Sequence, residues 1–129
     1  MPERITLQEI KERISRFISK RNWEQYHSPK NISMSIAIEA AELMEHFQWL
    51  SPEESRDLLG NAAGRAEIED ELADIAIYVL DFCNLFSIDI EKIIARKLGK
   101  TAKKYPVRLV KGKAHKYTYY QKLKRKSKA

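Results

Sequence analysis

Residues 33–50, which read SMSIAIEAAELMEHFQWL, constrain the fold of this chain more than any other segment. Most of their side chains are apolar, and the segment is long enough for about five turns of helix. Glu39 and Glu42 nevertheless stand in its middle, three residues apart, which places them about 60° apart on one helical face. Because a carboxylate is costly to bury without a partner, the segment predicts a core-forming helix whose two acids need either protons or a cation.

Helix-start and helix-stop signals recur along the rest of the chain. Thr6 and Glu9 have the spacing of a capping box, and Ser51 followed by Pro52 has the pattern of an N-cap with proline in the first turn. No segment keeps the period of two that is typical of a strand. The sequence therefore predicts an all-α, four-helix-bundle-like fold. The predicted helices span residues 7–20, 31–48, 51–60 and 65–85, with a last helix that starts after Ser87 or Asp89 and ends before Pro106.

The composition excludes several classes of protein. The 129 residues are enough for one domain with a real core, and 43% hydrophobic with 33% charged residues is typical of a soluble globular protein. No apolar run reaches the roughly 18 residues of a membrane span, and the first ten residues lack the apolar segment of a signal peptide. Cys83 is the only cysteine, which excludes a disulfide framework and a cysteine-based zinc site. We therefore expect a cytoplasmic protein without a membrane partner.

The net charge of +6 is divided unevenly along the chain. Residues 100–129 hold 12 of the 24 basic residues and no acidic one, so residues 1–99 hold the other 12 and all 18 acidic residues, a balance of −6. This division favours an acidic site in the body and a basic C-terminal extension at residues 111–129 that attracts anions. The last residues of that extension, about eight in number, are polar and basic, and we expect them to be disordered.

A second group of acids lies in residues 67–80, EIEDELADIAIYVL. On a helix four of its five acids fall within about 100° of one another, and Tyr78 follows one turn after the last of them. The helix beyond Asp74 is apolar nearly all round, which predicts that Asp74 lies at or inside the edge of the core. The four acids on this side of the predicted helix are Glu67, Asp70, Glu71 and Asp74.

Two helices that each carry a pair of acids favour a metal site. Carboxylates placed face to face repel one another in a low dielectric, and protons or a cation relieve the repulsion. Oxygen ligands without cysteine suit Mg²⁺, with Mn²⁺ as the alternative. A single Glu-x-x-Glu is more often a solvated helix face, so the pattern alone leaves both interpretations open. A ferritin-like di-iron site is disfavoured, because Glu42 and His46 are four residues apart and no histidine follows Glu71.

The two acid motifs resemble those of the MazG-like, all-α nucleoside triphosphate pyrophosphohydrolases. That family's metal motif, Glu-x-x-Glu followed by Glu-x-x-Asp, matches EAAE at Glu39 and Glu42 and ELAD at Glu71 and Asp74. The segments RNWEQYHSPKN, KLGKTAKKYP and KYTYY resemble the dCTP pyrophosphatase-type subgroup. The resemblance covers most of the chain, and it assigns residues 1–110 to a MazG-like domain that precedes the basic extension.

The resemblance implies hydrolysis of a nucleoside triphosphate to the monophosphate and pyrophosphate, with water attacking the α-phosphorus. It implies that Glu39, Glu42, Glu71 and Asp74 are the catalytic and metal-binding residues. Since the subgroup prefers dCTP, the resemblance also implies dCTP or a modified dCTP as the substrate and nucleotide-pool cleansing as the purpose.

The resemblance also implies a set of substrate-binding residues. Two tryptophans would sandwich the base, which gives affinity but little selectivity, and His27 would contact the base edge. The alternatives are a core anchor for each tryptophan, a structural role for His27 and a solvated helix face for the lysines. Thr101 replaces an asparagine of the subgroup and has no amide to offer. The implied set is Trp23, His27, Trp49 and Tyr78 around the nucleoside, and Lys97, Thr101, Lys104 and Tyr105 near the phosphates.

Family members assemble as dimers or tetramers, so the resemblance implies a homotetramer, with a dimer as the alternative. Two other functions compete with the enzyme. The basic extension could bind nucleic acid, although the acidic body makes this partner unfavourable. The acids could also serve a purely structural helical oligomer by pairing with basic residues, but the faces concerned carry no basic residue at a matching spacing.

Overall fold

The computed structural model describes residues 3–128, and all regular structure in that range is helical. The prediction of an all-α protein is therefore confirmed. The helices divide into two compact units, with the boundary between Ile88 and Asp89. None of the described helices is long and apolar enough to cross a membrane. The first unit contains α1 (Leu7–Lys20), a 3-10 turn (Glu24–Tyr26), α2 (Pro29–Glu45), α3 (Pro52–Gly60) and α4 (Ala62–Leu85); the second contains α5 (Ile90–Lys104), α6 (Val107–Val110) and α7 (Tyr117–Lys128).

Helix α4 is the centre of the first unit. It packs most extensively against α2 and also contacts α1 and α3. The core side chains include Ile14 and Ile18 on α1, Ile32 on α2, and Ile68 and Leu80 on α4, each of them buried. Full burial of one such side chain stabilises a fold by roughly 1.5–3 kcal/mol. This core fixes α2 against α4, the two helices that carry the predicted acid motifs.

The predicted helix caps form where the sequence places them. Thr6 Oγ1 accepts a hydrogen bond from the backbone N–H of Glu9 at 3.1 Å. Ser51 and Glu54 complete a reciprocal capping box, with both hydrogen bonds at 3.1 Å. Of the two candidates for the cap of α5, Asp89 is the one that accepts from a backbone N–H, that of Lys92 at 3.0 Å. Side chains at caps satisfy donors that the first helical turn leaves without partners.

Two helices begin earlier in the structure than the sequence predicts, α4 by three residues and α2 by two. Helix α4 begins at Ala62 instead of residue 65, because Asn61 Oδ1 accepts from the backbone N–H groups of Ala63 and Gly64 at 3.0 and 3.1 Å. Gly64 belongs to the first turn of α4, where a Cβ atom would lie 2.9 Å from the carbonyl oxygen of Leu58. Helix α2 likewise begins at Pro29 instead of residue 31, and it ends at Glu45 instead of residue 48.

In the second unit, aromatic packing holds the start of α7. Tyr120 is 1% exposed, its hydroxyl accepts from the backbone N–H of His115 at 2.8 Å, and its ring lies 5.5 Å from that of Tyr105. Helix α7 continues to Lys128, which differs from the expected disorder of the last residues; for Ala129 that expectation lies outside the described residues. The predicted domain boundary at residue 110 stays a prediction.

Candidate functional site

Three of the four predicted metal ligands lie together in the first unit. One carboxylate oxygen from each of Glu39, Glu42 and Glu71 lies within 4.8 Å of the others. Glu39 and Glu42 are presented by α2 and Glu71 by α4. The acid pair that periodicity placed on one helical face is thus joined by an acid from the neighbouring helix. We call these three residues the carboxylate cluster.

The electrostatics of the carboxylate cluster favour a cation. Burial raises the pKa of Glu39 above its ordinary value, and the hydrogen bond with Glu42 and the charges of Glu42, Asp74 and Glu71 raise it further. Glu39 Oε2 and Glu71 Oε2 are both buried and have no hydrogen-bond partner among the described residues. Buried carboxylate oxygens without partners are costly, and a hard divalent cation with oxygen ligands would satisfy them. The residues present therefore fit a metal ion.

Asp74, the fourth predicted ligand, is exposed and lies outside the group of three. The prediction that it stands at or inside the edge of the core is wrong for this chain, because the half-buried side chain at this level of α4 is that of Ile75. Its charge still contributes to the raised pKa of Glu39, so Asp74 lies within electrostatic range of the carboxylate cluster. Its role as a metal ligand stays a prediction.

His46 borders the carboxylate cluster. Its Nε2 lies 3.6 Å from Glu71 Oε1, and its Nδ1 lies 3.9 Å from Glu67 Oε2. Both distances exceed that of a hydrogen bond. His46 thus adds a polar neighbour on the α4 side of the cluster, as its position one turn after Glu42 indicates.

The position of Trp23 follows from the way α1 ends. Asn22 takes a left-handed conformation with φ of 52°, which asparagine tolerates better than most residues. The backbone N–H of Trp23 then donates to Ile18 and that of Asn22 to Ser19, at 3.2 and 3.0 Å, which is the pattern of a Schellman motif. The Trp23 ring meets Phe17 edge-on, with centroids 5.8 Å apart. Trp23 remains 42% exposed, so a large part of the side chain is accessible to solvent.

His27 is held by a residue that the sequence analysis missed. Its Nδ1 lies 2.5 Å from Oδ2 of Asp81 on α4, and the two side chains are 14% and 3% exposed. Asp81 occurs alone within an apolar part of α4, and its partner lies 54 residues away, so no local pattern indicates the pair. The one available signal is spacing: Asp81 follows Asp74 by seven residues and Tyr78 by three, and it therefore lies on the same side of α4.

The other predicted substrate-binding residues divide between the two units. Trp49 follows the end of α2 and is 87% exposed, which excludes a core anchor within the single chain. Tyr78 is half-buried on α4. In the second unit, Lys104 Nζ lies 5.1 Å from the ring of Tyr117, as in a cation–π contact. Their roles toward a substrate stay predictions, as do those of Lys97 and Thr101 on α5 and of Tyr105 in the aromatic packing of that unit.

With this all-helical fold and its cluster of three glutamates, the chain belongs to the MazG-like family, whose family model matches residues 34–119. It is 34% identical over 113 residues to dCTP pyrophosphatase 1 of Bos taurus, and the match covers 88% of this chain and 67% of the relative. It is 30% identical over the same length to dCTP pyrophosphatase 1 of Homo sapiens, with 66% of that relative covered. The chain thus spans about two thirds of the length of these relatives.

The fold is also similar to that of a solved structure. A crystal structure of a pyrophosphatase from Archaeoglobus fulgidus matches with a TM-score of 0.74 and 36% sequence identity, covering 82% of this chain and 97% of that one. The resemblance inferred from the acid motifs and the tryptophan-containing segments is therefore confirmed.

Proposed function

We propose that this chain hydrolyses a deoxynucleoside triphosphate, dCTP or a modified dCTP, to the monophosphate and pyrophosphate, and so cleanses the nucleotide pool. The relatives named dCTP pyrophosphatase 1 and the archaeal pyrophosphatase support this reaction class. The observation that carries the proposal is the carboxylate cluster with its two buried oxygens that lack partners. A polyphosphate substrate is anionic, so three carboxylates can serve it only together with a cation.

Mg²⁺ is the proposed cofactor, with Mn²⁺ as the alternative. Glu39, Glu42 and Glu71 would hold it, with Asp74 as the proposed fourth ligand. Bound there, the ion supplies neutralisation of charge on the phosphate oxygens and orientation of the leaving pyrophosphate. The carboxylates themselves orient the attacking water, and one of them accepts its proton.

In the reaction, the water oxygen forms a bond to the α-phosphorus. The bond between that phosphorus and the oxygen bridging to the β-phosphorus breaks, and pyrophosphate leaves with the electron pair. The nucleoside end would be bound by the open faces of Trp23 and Trp49, which stack on a base, and by Tyr78 at the sugar. His27 would contact the base edge. Lys97, Thr101, Lys104 and Tyr105 would contact the phosphates.

We further propose that the chain works as a homotetramer, with a dimer as the alternative, and that it is cytoplasmic. The apolar surface of the first unit supports assembly: Ile10, Phe17 and Ile77 are 37%, 46% and 43% exposed. With Arg13 and Ile14, they line a cavity of about 290 Å³ that contains none of the cluster carboxylates. Exposed apolar patches of this kind mark contact surfaces.

The reaction is tested by incubating the purified chain with dCTP and Mg²⁺ and measuring dCMP and pyrophosphate. Glu42→Gln removes one charge of the cluster at constant size, and we expect the turnover rate to fall on the order of a hundredfold or more. Glu53→Gln is the matched control, because Glu53 is exposed on α3. Undiminished turnover in folded Glu42→Gln and Asp74→Asn variants contradicts the proposed function.

A further inference from the structure

Asp81 is the one charged residue among the described residues that is fully buried. It is 2% exposed, and its Oδ2 lies 2.5 Å from His27 Nδ1. Burying an ionised carboxylate is costly unless a partner compensates it. A short hydrogen bond between such a carboxylate and an imidazole is of the stronger, charge-assisted kind. The pair therefore fixes His27 firmly to α4.

The Trp23–His27 segment is short, and its other hydrogen bonds among the described residues are to groups near it in sequence. Gln25 Nε2 donates to the backbone carbonyl oxygen of Asn22 at 3.1 Å, and Asn31 Nδ2 donates to the backbone carbonyl oxygen of Tyr26 at 2.9 Å. Both contacts are local in sequence. The hydrogen bond with Asp81 spans 54 residues and joins the Trp23–His27 segment to α4.

Asp81 is also aligned with the proposed reaction site. Along α4, Glu71, Asp74, Tyr78 and Asp81 are separated by three, four and three residues, which places them on one side of the helix. Asp81 lies on the order of 15 Å along the axis from Glu71. One side of a single helix thus carries the carboxylate of the cluster at one level and the attachment point of His27 at another.

The geometry also determines which imidazole nitrogen faces away from α4. A carboxylate can only accept a hydrogen bond, so the short contact places the proton on Nδ1. In the neutral ring Nε2 then carries a lone pair and acts as an acceptor. Among the described residues no hydrogen bond to Nε2 is formed. An acceptor at this point matches the exocyclic N–H of cytosine and opposes the carbonyl oxygen that uracil has at the same position.

We propose that Asp81 is a positioning residue for base selection: it holds His27 in the tautomer whose Nε2 accepts a hydrogen bond, and thereby favours a base with an exocyclic amino group over its carbonyl counterpart. This inference rests on the proposed function. Asp81 itself touches no substrate atom and acts only through His27. A purely structural role would lower stability but would leave the choice between two bases of the same size unchanged.

The test compares kcat/KM for dCTP and dUTP, which differ at this amino and carbonyl group. The unaltered chain favours dCTP. In Asp81→Asn the amide can accept from Nδ1 or donate to it, so both tautomers of His27 are supported. We expect the dCTP preference to fall by up to about tenfold, the upper end for one hydrogen bond between neutral groups, mostly through KM for dCTP. The exposed Asp57 on α3 provides the control Asp57→Asn, with an unchanged ratio.

An unchanged ratio in folded Asp81→Asn overturns the inference, and so does an unaltered chain without preference for dCTP. If Asp81→Asn does not fold, His27→Gln tests the same point, because it keeps Asp81 and removes the ring. ¹⁵N spectra of the His27 ring in the unaltered chain provide a test that needs no turnover. A proton on Nδ1 alone supports the inference, and a proton on Nε2 overturns it. The proposed function fails separately, through undiminished turnover in folded Glu42→Gln and Asp74→Asn.

Discussion

At the level of single side chains, Glu39 couples the stability of the protein to pH. Burial, followed by the hydrogen bond with Glu42 and the neighbouring acidic charges, raises its pKa above the ordinary value of 4.5. The folded chain therefore keeps a proton that the unfolded chain has already released. The stabilising contribution is complete below 4.5 and is lost as the pH rises through the folded-state pKa.

We expect the free energy of unfolding of the metal-free chain to decrease as the pH rises above 4.5 toward neutrality. In Glu39→Gln this part of the decrease disappears, because the amide does not titrate, so the variant is more stable than the unaltered chain at neutral pH without metal. Urea unfolding in the presence of a chelator, followed by circular dichroism at several pH values, measures the difference.

Glu53→Gln on the surface of α3 is the control for this prediction and should follow the unaltered chain at every pH. Adding Mg²⁺ at neutral pH should stabilise the unaltered chain, by about 2.7 kcal/mol at a hundred times the dissociation constant, and should not stabilise Glu39→Gln to the same extent. Parallel pH curves for the unaltered chain and Glu39→Gln contradict the assignment of the titrating group.

At the level of helices, the junction between α3 and α4 depends on a residue without a side chain. A Cβ atom at Gly64 would lie 2.6 Å from Leu58 Cδ1 and 2.9 Å from the carbonyl oxygen of Leu58. The side-chain carbon can move, but the carbonyl belongs to the end of α3 and can move only together with its backbone. Gly64 therefore allows a close approach of the two helices.

We expect Gly64→Ala to lower the free energy of unfolding by about 1–3 kcal/mol, as in other overpacked sites. Gly99→Ala is the matched control, because Gly99 lies inside α5 and a Cβ there meets nothing within 4 Å. That substitution should raise the free energy of unfolding by roughly 0.8–1 kcal/mol through helix propensity. Thermal or urea unfolding of both variants gives the two signs. A neutral or stabilising Gly64→Ala contradicts the close approach.

Much of the helical structure could be predicted because its signals are local. Thr6, Ser51 and Asp89 cap helices by bonding to backbone groups three residues ahead, so the sequence shows both partners at once. The predicted start of α4 lies three residues too late, because glycine usually interrupts a helix. Gly64 instead allows a close contact with α3 that only the folded chain forms. The burial of Tyr120 at the start of α7 likewise involves contacts that only the folded chain forms.

The candidate site also has some residues that local sequence signals reveal and others that only the folded chain brings together. The pair Glu39 and Glu42 is visible from spacing on one helix, but spacing cannot show that Glu71 joins them from another helix; the family resemblance supplied that pairing. Neither the spacing of acids nor the family resemblance predicted a role for Asp81. Its role depends on a contact with His27 across 54 residues, and a lone aspartate in an apolar helix carries no local signal of its partner.

At the level of the whole molecule, the exposed apolar surface of α1 leads to a prediction about assembly. We expect the chain of 15.1 kDa to sediment as a tetramer of about four times that mass, with a dimer as the alternative. Ile10→Glu places a charge in the apolar cavity between α1 and α4 and should shift the mass toward smaller species. Ser15→Glu adds the same side chain at an exposed position on another side of α1 and should not. Equal masses for both variants contradict assembly through this surface.

The basic C-terminal extension gives a second prediction at this scale. A chain truncated after Tyr120 keeps the buried tyrosine and loses five basic residues. We expect its hydrolysis of dCTP to be unchanged, while retention on a polyanion column falls, because polyanion binding depends steeply on the number of charges. Loss of hydrolysis with intact folding would give the extension a part in the reaction. Unchanged retention would show that the extension attracts no polyanion.

The carboxylate cluster is assembled from two helices, and this has a consequence for the choice of ion. Mg²⁺ requires oxygen ligands at 2.0–2.1 Å, whereas Ca²⁺ accepts them at 2.3–2.6 Å. The separation of α2 and α4 would therefore affect which of the two ions the cluster accommodates better. Ile32 and Ile68, 2% and 3% exposed, belong to the core that sets this separation. If the cluster holds the proposed ion, the preference between Mg²⁺ and Ca²⁺ would then depend in part on methyl groups that do not touch the ion.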